Sequence, residues 1–185
     1  MFSVMKPRSK AVRNGKRKKI KIPRVPIRKI LVPIDFSPHS NQVMKYASAI
    51  AQAFDATIIL MHVVDSASYS VTDTFNIVNR RRPLETIARA LLGSWAEQLD
   101  GGIRVQPHLA TGFAYQEILK KTRKDQVDLI VMGTHGRTGL GHFFLGSVTE
   151  KIVRLAPCPV LTVRLDDKAL KATARQRERK KRATL

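Results

Sequence analysis

Residues 30–34 read Ile-Leu-Val-Pro-Ile and residues 57–64 read Thr-Ile-Ile-Leu-Met-His-Val-Val, two short apolar runs typical of buried strands. Between them, Ser37-Pro38 supplies a helix cap and a first-turn proline. Apolar residues then recur at steps of three and four over 43–54, which predicts a helix with one apolar face. A strand, a helix and a second strand in this order predict a β-α-β unit with parallel strands and a right-handed crossover.

The same alternation of elements continues to residue 163. The later elements are a predicted loop over 65–82, an apolar helical stripe over 84–99, an alternating strand over 103–109, a helix over 114–123, a buried strand over 128–132, a helix that begins at Ser147 and a strand over 160–163. This order predicts an α/β fold, a single doubly wound, Rossmann-like parallel sheet of five strands in the order 3-2-1-4-5. Ligands of such sheets bind beyond the carboxyl ends of the first and fourth strands.

Charge is distributed unevenly along the 185 residues, which hold 34 Lys and Arg against 14 Asp and Glu. Residues 1–28 have 11 basic residues and no acidic one, and residues 164–185 have nine basic and three acidic ones, so the middle of the chain is close to neutral. We therefore expect a basic disordered arm over 1–28, one domain over 29–165 and a basic flexible tail over 166–185.

The two basic segments have two possible functions. They are either solubilising arms or polyanion binders that hold nucleic acid or another anionic surface in a non-specific, salt-sensitive way. Phe2 is the only aromatic residue in the first segment, and the second has none, so base stacking has little support.

Composition excludes two classes of protein. No apolar run approaches the roughly 18 residues that a transmembrane helix needs. The single cysteine, Cys158, cannot form an internal disulfide, which excludes a secreted disulfide scaffold and favours a cytoplasmic location.

A glycine-rich segment follows the fourth strand, from Gly133 to Gly146-Ser147. Glycines let backbone N–H groups approach an anion, and the following helix adds its N-terminal donors and dipole, so phosphate is the expected ligand. Asp35 ends the first strand and lies at the same crevice in the predicted order. Two structural alternatives stay open: Asp35 could cap the first helix, and Ser147 with Glu150 could form a capping box.

The spacing Gly133-x2-Gly136-x9-Gly146-Ser147 resembles the nucleotide-binding signature of the ATP-binding branch of universal stress proteins. The resemblance covers residues 29–164 and includes the segments 30–37, 62–65 and 146–163. It implies a stress-response regulatory module that binds ATP, or AMP or ADP.

Ten residues form the site that this resemblance implies. They are Pro33, Asp35, Val63, Gly133, His135, Gly136, Arg137, Gly146, Ser147 and Thr149. In the family pattern, Asp35 contacts the nucleoside, the backbone of Val63 meets adenine, and the glycines with Ser147 hold ribose and phosphates. Mg²⁺ is a hypothesis that comes with the phosphates, with Asp35 or Ser147 as its ligand. We expect no other metal site, because the histidines lack ligand spacing.

Other residues in this part of the sequence have simpler interpretations. His62 is expected to be a core residue with satisfied polar atoms, and Trp95 belongs to the apolar stripe over 84–99, which is expected to face the core. A slow ATP hydrolase is the alternative function, with His135 and Arg137 as candidates, although the sequence offers no obvious general base.

The fifth strand is expected at an edge of the sheet, although its residues are apolar in succession. It consists of Val160, Leu161, Thr162 and Val163. An uncovered apolar edge promotes aggregation unless another strand pairs with it. The sequence therefore predicts a homodimer formed through this strand.

Overall fold

A computed structural model describes residues 25–65, 77–99, 102–134 and 145–164. In chain order its elements are β1 (Lys29–Pro33), α1 (Pro38–Phe54), β2 (Thr57–Asp65), α2 (Ile77–Glu97), β3 (Val105–Gly112), α3 (Ala114–Asp125), β4 (Leu129–Gly133), α4 (Ser147–Leu155) and β5 (Val160–Val163). Strands and helices alternate throughout, as the sequence predicts.

The five strands form one parallel sheet in the order β3-β2-β1-β4-β5, which confirms the predicted fold class. β1 lies at the centre, where Leu31 is opposite Ile59 of β2 and Ile130 of β4. The winding reverses between β1 and β4, so the carboxyl ends of these two strands flank the crevice in which such sheets bind ligands.

Side chains of successive strand residues point to opposite faces of the sheet and fill two separate cores. On one face, Ile30 and Val32 pack with residues of α1 and with Leu92 of α2. On the other face, Leu31 packs with residues of α3 and with Ile152 of α4. Because both faces of the inner strands are covered by helices, those strands are apolar at successive positions.

The structure corrects two predictions about α2. The predicted loop over 65–82 is wrong in its last part, since the helix begins at Ile77. The apolar stripe is also only partly buried: Leu84, Ile87 and Leu91 are 45%, 57% and 43% exposed. The sheet covers only the neighbouring arc of the helix, which includes Leu92.

Smaller differences concern the ends of elements. β3 continues to Gly112 and α3 to Asp125, beyond the predicted ends, and β1 and β4 are each shifted by one residue. Among the described residues, no helix has the length and apolar character needed to cross a membrane.

Candidate functional site

A half-buried turn at the carboxyl end of β1 holds the carboxylate of Asp35. One oxygen, Oδ1, accepts hydrogen bonds from the backbone N–H of Ser37 (3.0 Å) and from the hydroxyl of Ser40 (2.8 Å). Burial by itself raises the pKa of the Asp35 carboxyl, but the hydrogen bonds from Ser37 and Ser40 outweigh it, and the net pKa lies below its usual value. The site therefore contains a fixed negative charge at neutral pH.

The start of α1 also contains polar atoms that the protein leaves unsatisfied. Ser37 is the N-cap residue, so Asp35 is not the cap, and the Ser37 side chain makes no capping bond. Ser37 Oγ and His39 Nδ1 are buried and have no hydrogen-bond partner within the described ranges. Since buried polar groups are normally paired, these two atoms fit a site that receives a polar ligand or water.

Phe36, the residue after Asp35 in the turn, packs in a cluster of aromatic rings. Phe36 has a left-handed backbone, with φ at 61°. Its ring lies 4.2 Å from the ring of His62 and contacts Trp95 edge-on at 5.8 Å, centroid to centroid. His62 Nδ1–H donates to the carbonyl of Ile34 (2.8 Å), and His62 and Trp95, which were expected in the core, are only partly buried.

The N-terminus of α4 is tied to the end of β4 by two hydrogen bonds. Gly146 N–H donates to the carbonyl of Thr134 (2.8 Å), and the hydroxyl of Thr149 donates to the carbonyl of Gly133 (2.9 Å). In the first turn of a helix the backbone N–H groups lack intrahelical acceptors and point outward with the positive end of the dipole. This arrangement presents an anion-binding helix end next to the crevice.

The capping box considered for α4 does not form. Gly146 is the N-cap residue, without a side-chain hydrogen bond, and Ser147 is already the first helical residue. The Glu150 carboxylate instead accepts from Arg154 at 3.4 Å, one turn further along. The exposed Ser147 side chain is therefore not used as a cap.

The structure brings together most of the predicted site residues at the carboxyl edge. Pro33 ends β1 opposite Met61, Val63 lies near the end of β2 opposite Ala110, and Gly133 ends β4. Asp35, Gly146, Ser147 and Thr149 lie at the same edge, as described above. His135, Gly136 and Arg137 lie outside the described residues.

Sequence reasoning missed two residues of this site. Ser40 donates to the Asp35 carboxylate, and its position three residues after the N-cap Ser37 is the signal that could have identified it. No feature of the sequence indicates the left-handed backbone of Phe36, because a bulky residue seldom adopts this conformation. Within the described ranges, no three His, Cys, Asp or Glu side chains converge in a way that could hold a metal.

Three comparisons with known proteins agree on one family. The sequence model of the universal stress protein family matches residues 26–164. Universal stress protein MJ0577 of Methanocaldococcus jannaschii is 30% identical in an alignment of 153 residues that covers 74% of this chain and 94% of that protein.

Solved structures show the same similarity. That of MJ0577 superposes with a TM-score of 0.70 at 31% identity and covers 77% of this chain and 99% of that one. A universal stress protein family protein from Arabidopsis thaliana with AMP bound has a TM-score of 0.54 over 77% of this chain and 94% of its own, and at 19% identity this likeness shows the fold alone. The family match over residues 26–164 and the similarity to MJ0577 lead to one conclusion: this chain belongs to the universal stress protein family.

Proposed function

We propose that this protein is a regulatory module that binds ATP, or a related adenine nucleotide, at the carboxyl edge of its sheet. The main support for the proposal is that two groups suited to a nucleotide lie at the same crevice. One is the ionised Asp35 carboxylate beside α1, and the other is the N-terminus of α4, tied to Gly133 and Thr134.

The two groups suit the two ends of such a ligand. Asp35 is an acceptor for ribose or base donors, because its pKa is lowered and it stays ionised. The first-turn N–H groups of α4 and the exposed Ser147 hydroxyl are donors for phosphate oxygens. The AMP held by the Arabidopsis protein shows that this fold accommodates an adenine nucleotide in at least one member.

Calorimetric titration with ATP of the full chain and of two matched variants tests this proposal. Asp35→Asn keeps the side-chain shape and removes the charge, and we expect ATP affinity to fall by roughly ten-fold or more, since a hydrogen bond to a charged group is worth about 1.5–3 kcal/mol. Asp128→Asn is the control. Its carboxylate also accepts backbone N–H groups, those of Arg28 and Lys29, but at the opposite edge of the sheet.

The control variant is expected to bind ATP like the unmodified protein. Equal losses of ATP affinity in both variants would show that Asp35 is not part of the site. If the unmodified protein had no affinity for any adenine nucleotide, the proposal would be wrong. Titrations with Mg²⁺ and with a chelator would show whether the phosphates are bound as the magnesium complex.

Slow hydrolysis of ATP is the alternative. Thr149 and Ser147 lie near the proposed phosphates, but the Thr149 hydroxyl already donates to the Gly133 carbonyl, so no described residue at α4 is positioned as a general base. Timed release of phosphate, in the unmodified protein and in Asp35→Asn, separates catalysis from binding.

We further propose that two copies of the chain associate through β5. This strand is an edge of the sheet, and its Leu161 is 37% exposed. Other large exposed apolar side chains flank it on α4 and just before that helix, namely Leu145, Val153 and Leu155. An exposed edge strand with apolar neighbours favours pairing with a second strand.

The oligomeric state tests this association directly. Leu161→Glu is expected to convert a dimer into a monomer in sedimentation velocity, because the charge would be buried in the interface. Ile87→Glu, on the exposed face of α2, is the matched control and should leave the dimer intact. A monomeric unmodified protein contradicts the proposal.

A further inference from the structure

A lysine and a tyrosine join the N-terminal parts of the two helices that cover one face of the sheet. The amino group of Lys151, in α4, lies over the ring of Tyr115, in α3, with Nζ 4.2 Å from the ring centroid. Tyr115 directly follows Ala114, the first residue of α3, and Lys151 lies one turn after Ser147, the first residue of α4. Neither Lys151 nor Tyr115 belongs to the site that the sequence predicts.

The contact lies at the carboxyl edge of the sheet, next to the candidate nucleotide site. α3 follows β3 and α4 follows β4, so both helices begin at the edge where the strands end. Tyr115 and Val148, which lie in the first turns of the two helices, pack against the same buried core. The amino group of Lys151 therefore lies at the level of the helix N-termini, although its backbone is one turn further along α4.

Lys151 is on the same side of α4 as Ser147. Residues four apart on a helix are neighbours on its surface, and helical side chains lean toward the N-terminus of their helix. The side chain of Lys151 therefore runs back along the first turn of α4. It leads toward the exposed Ser147 hydroxyl and the first-turn backbone N–H groups, which are the proposed donors to phosphate.

Within the described ranges, the positive charge of Lys151 has no carboxylate partner. The nearby carboxylates on the two helices are paired with other cations: Glu117 with Lys120 and Glu150 with Arg154, both at 3.4 Å. The aromatic ring covers one side of the ammonium group, so other N–H donors of this exposed group are available to an acceptor outside the protein.

The direction in which a nucleotide would cross the edge leads toward this amino group. α1, which begins beside Asp35, packs on one face of the sheet, and α3 and α4 pack on the other. A nucleotide with its nucleoside at Asp35 and its first phosphate at the start of α4 therefore crosses from one face to the other. Any further phosphates extend toward the side on which Lys151 lies.

We propose that Lys151, positioned by the ring of Tyr115, binds the outer phosphates of a nucleotide and makes the site selective for nucleoside di- and triphosphates over monophosphates. This inference rests on the proposed function, in which the first turn of α4 binds phosphate. A monophosphate is held by the donors of that turn, whereas a longer phosphate chain also gains the charge-assisted contact with Lys151. A lysine suits this role, because its ammonium group is a compact charge on a flexible stem and serves as a phosphate ligand in other proteins.

Calorimetric titration of the full chain with ATP and with AMP tests the inference. We expect the unmodified protein to bind ATP more tightly than AMP. Lys151→Gln should lower ATP affinity by roughly five-fold, the upper range for an exposed ion pair, and change AMP affinity by less than about two-fold. Lys124→Gln is the matched control, because it makes the same change in net charge in the last turn of α3, at the opposite edge of the sheet. It should leave both affinities unchanged.

Two substitutions of Tyr115 test its positioning role. Tyr115→Phe keeps the ring and removes only the hydroxyl, which accepts a hydrogen bond from Gln116 Nε2 (3.1 Å), so the ratio of ATP to AMP affinity should not change. Tyr115→Leu removes the ring under the ammonium group and should lower that ratio by about two-fold. A merely structural role of Tyr115 would lower the two affinities together and leave the ratio unchanged.

Three results would overturn the inference while the proposed function stands. They are equal affinities of the unmodified protein for ATP and AMP, equal losses of ATP affinity in Lys151→Gln and Lys124→Gln, and equal losses of ATP and AMP affinity in Lys151→Gln. If the unmodified protein bound neither nucleotide, the proposed function would fail, and the inference would fail with it.

Discussion

The two edges of this one sheet differ in chemistry. At the carboxyl edge, α1, α3 and α4 begin, and a half-buried carboxylate, that of Asp35, lies beside the start of α1. At the amino edge, helices end, and basic side chains bind their last carbonyls: Lys29 donates to Asp125 and Arg104 donates to Asp55.

This difference follows from the topology. In a parallel sheet joined by helices, every helix runs opposite to the strands, so helix N-termini collect at one edge and C-termini at the other. The first edge favours anionic ligands, and the second favours cationic side chains. Other cations at this edge, such as Arg123, lie exposed at the surface.

The largest expected effect comes from a substitution between the two edges. Leu31 is fully buried in β1, which pairs with both β2 and β4. Leu31→Ala should lower the free energy of unfolding by about 2–5 kcal/mol, measured by urea titration. The structure at both edges of the sheet should be destabilised together. The surface substitution Ile87→Ala should stay within about 0.5 kcal/mol, and a similar cost for both would contradict the assignment of the core.

Phe36 provides the next largest effect and concerns the carboxyl edge alone. Phe36→Gly relieves a left-handed backbone, which favours the variant by about 1–2 kcal/mol, but it removes a ring packed on His62 and Trp95. Because the ring is only partly buried, its loss should cost less than the roughly 3–5 kcal/mol of a fully buried phenyl ring, and we expect a net loss of about 1 kcal/mol. Fluorescence of Trp95, the single tryptophan, reports the unfolding, and a gain in stability would show that the ring does not hold the turn.

The order of the strands could be predicted from the sequence, because it depends on a pattern that burial imposes on many residues at once. The inner strands are apolar at successive positions, as required of strands covered on both faces. The start of α4 at Ser147 was also predictable, since the turn there is marked by glycine.

Features that depend on a few tertiary contacts could not be predicted. Periodicity identifies the apolar arc of α2, but it does not say which part meets the sheet, so Leu84, Ile87 and Leu91 were wrongly assigned to the core. The first turns of α2, from Ile77, have no apolar stripe in the sequence and were assigned to a loop. The bond from Ser40 to Asp35 depends on a turn whose geometry only the folded chain shows.

A smaller effect concerns the pH dependence of stability and comes from the flank of the sheet. Partial burial, and then the positive charge of Lys121, lower the pKa of His108 below its ordinary value of 6.5. The unfolded chain therefore binds a proton more readily, and stability should fall as the pH falls through 6.5 toward the lowered pKa of the folded protein. Urea titrations on either side of that value should show this loss in the unmodified protein and less of it in His108→Gln. An equal loss in both would assign the effect to other groups.

The smallest expected effect is at the amino edge and is opposite in sign to that of Phe36→Gly. Gln126 ends α3 with φ at 52°, close to the 61° of Phe36, but its side chain is exposed. Gln126→Gly removes the left-handed strain without removing packing, and the greater freedom of glycine in the unfolded chain offsets part of the gain. We therefore expect a stabilisation of about 0.5 kcal/mol, measured as a shift in the urea midpoint. Gln126→Val, which is stiff at the same φ, should destabilise, and the same sign for both variants would show that backbone strain at this cap does not control stability.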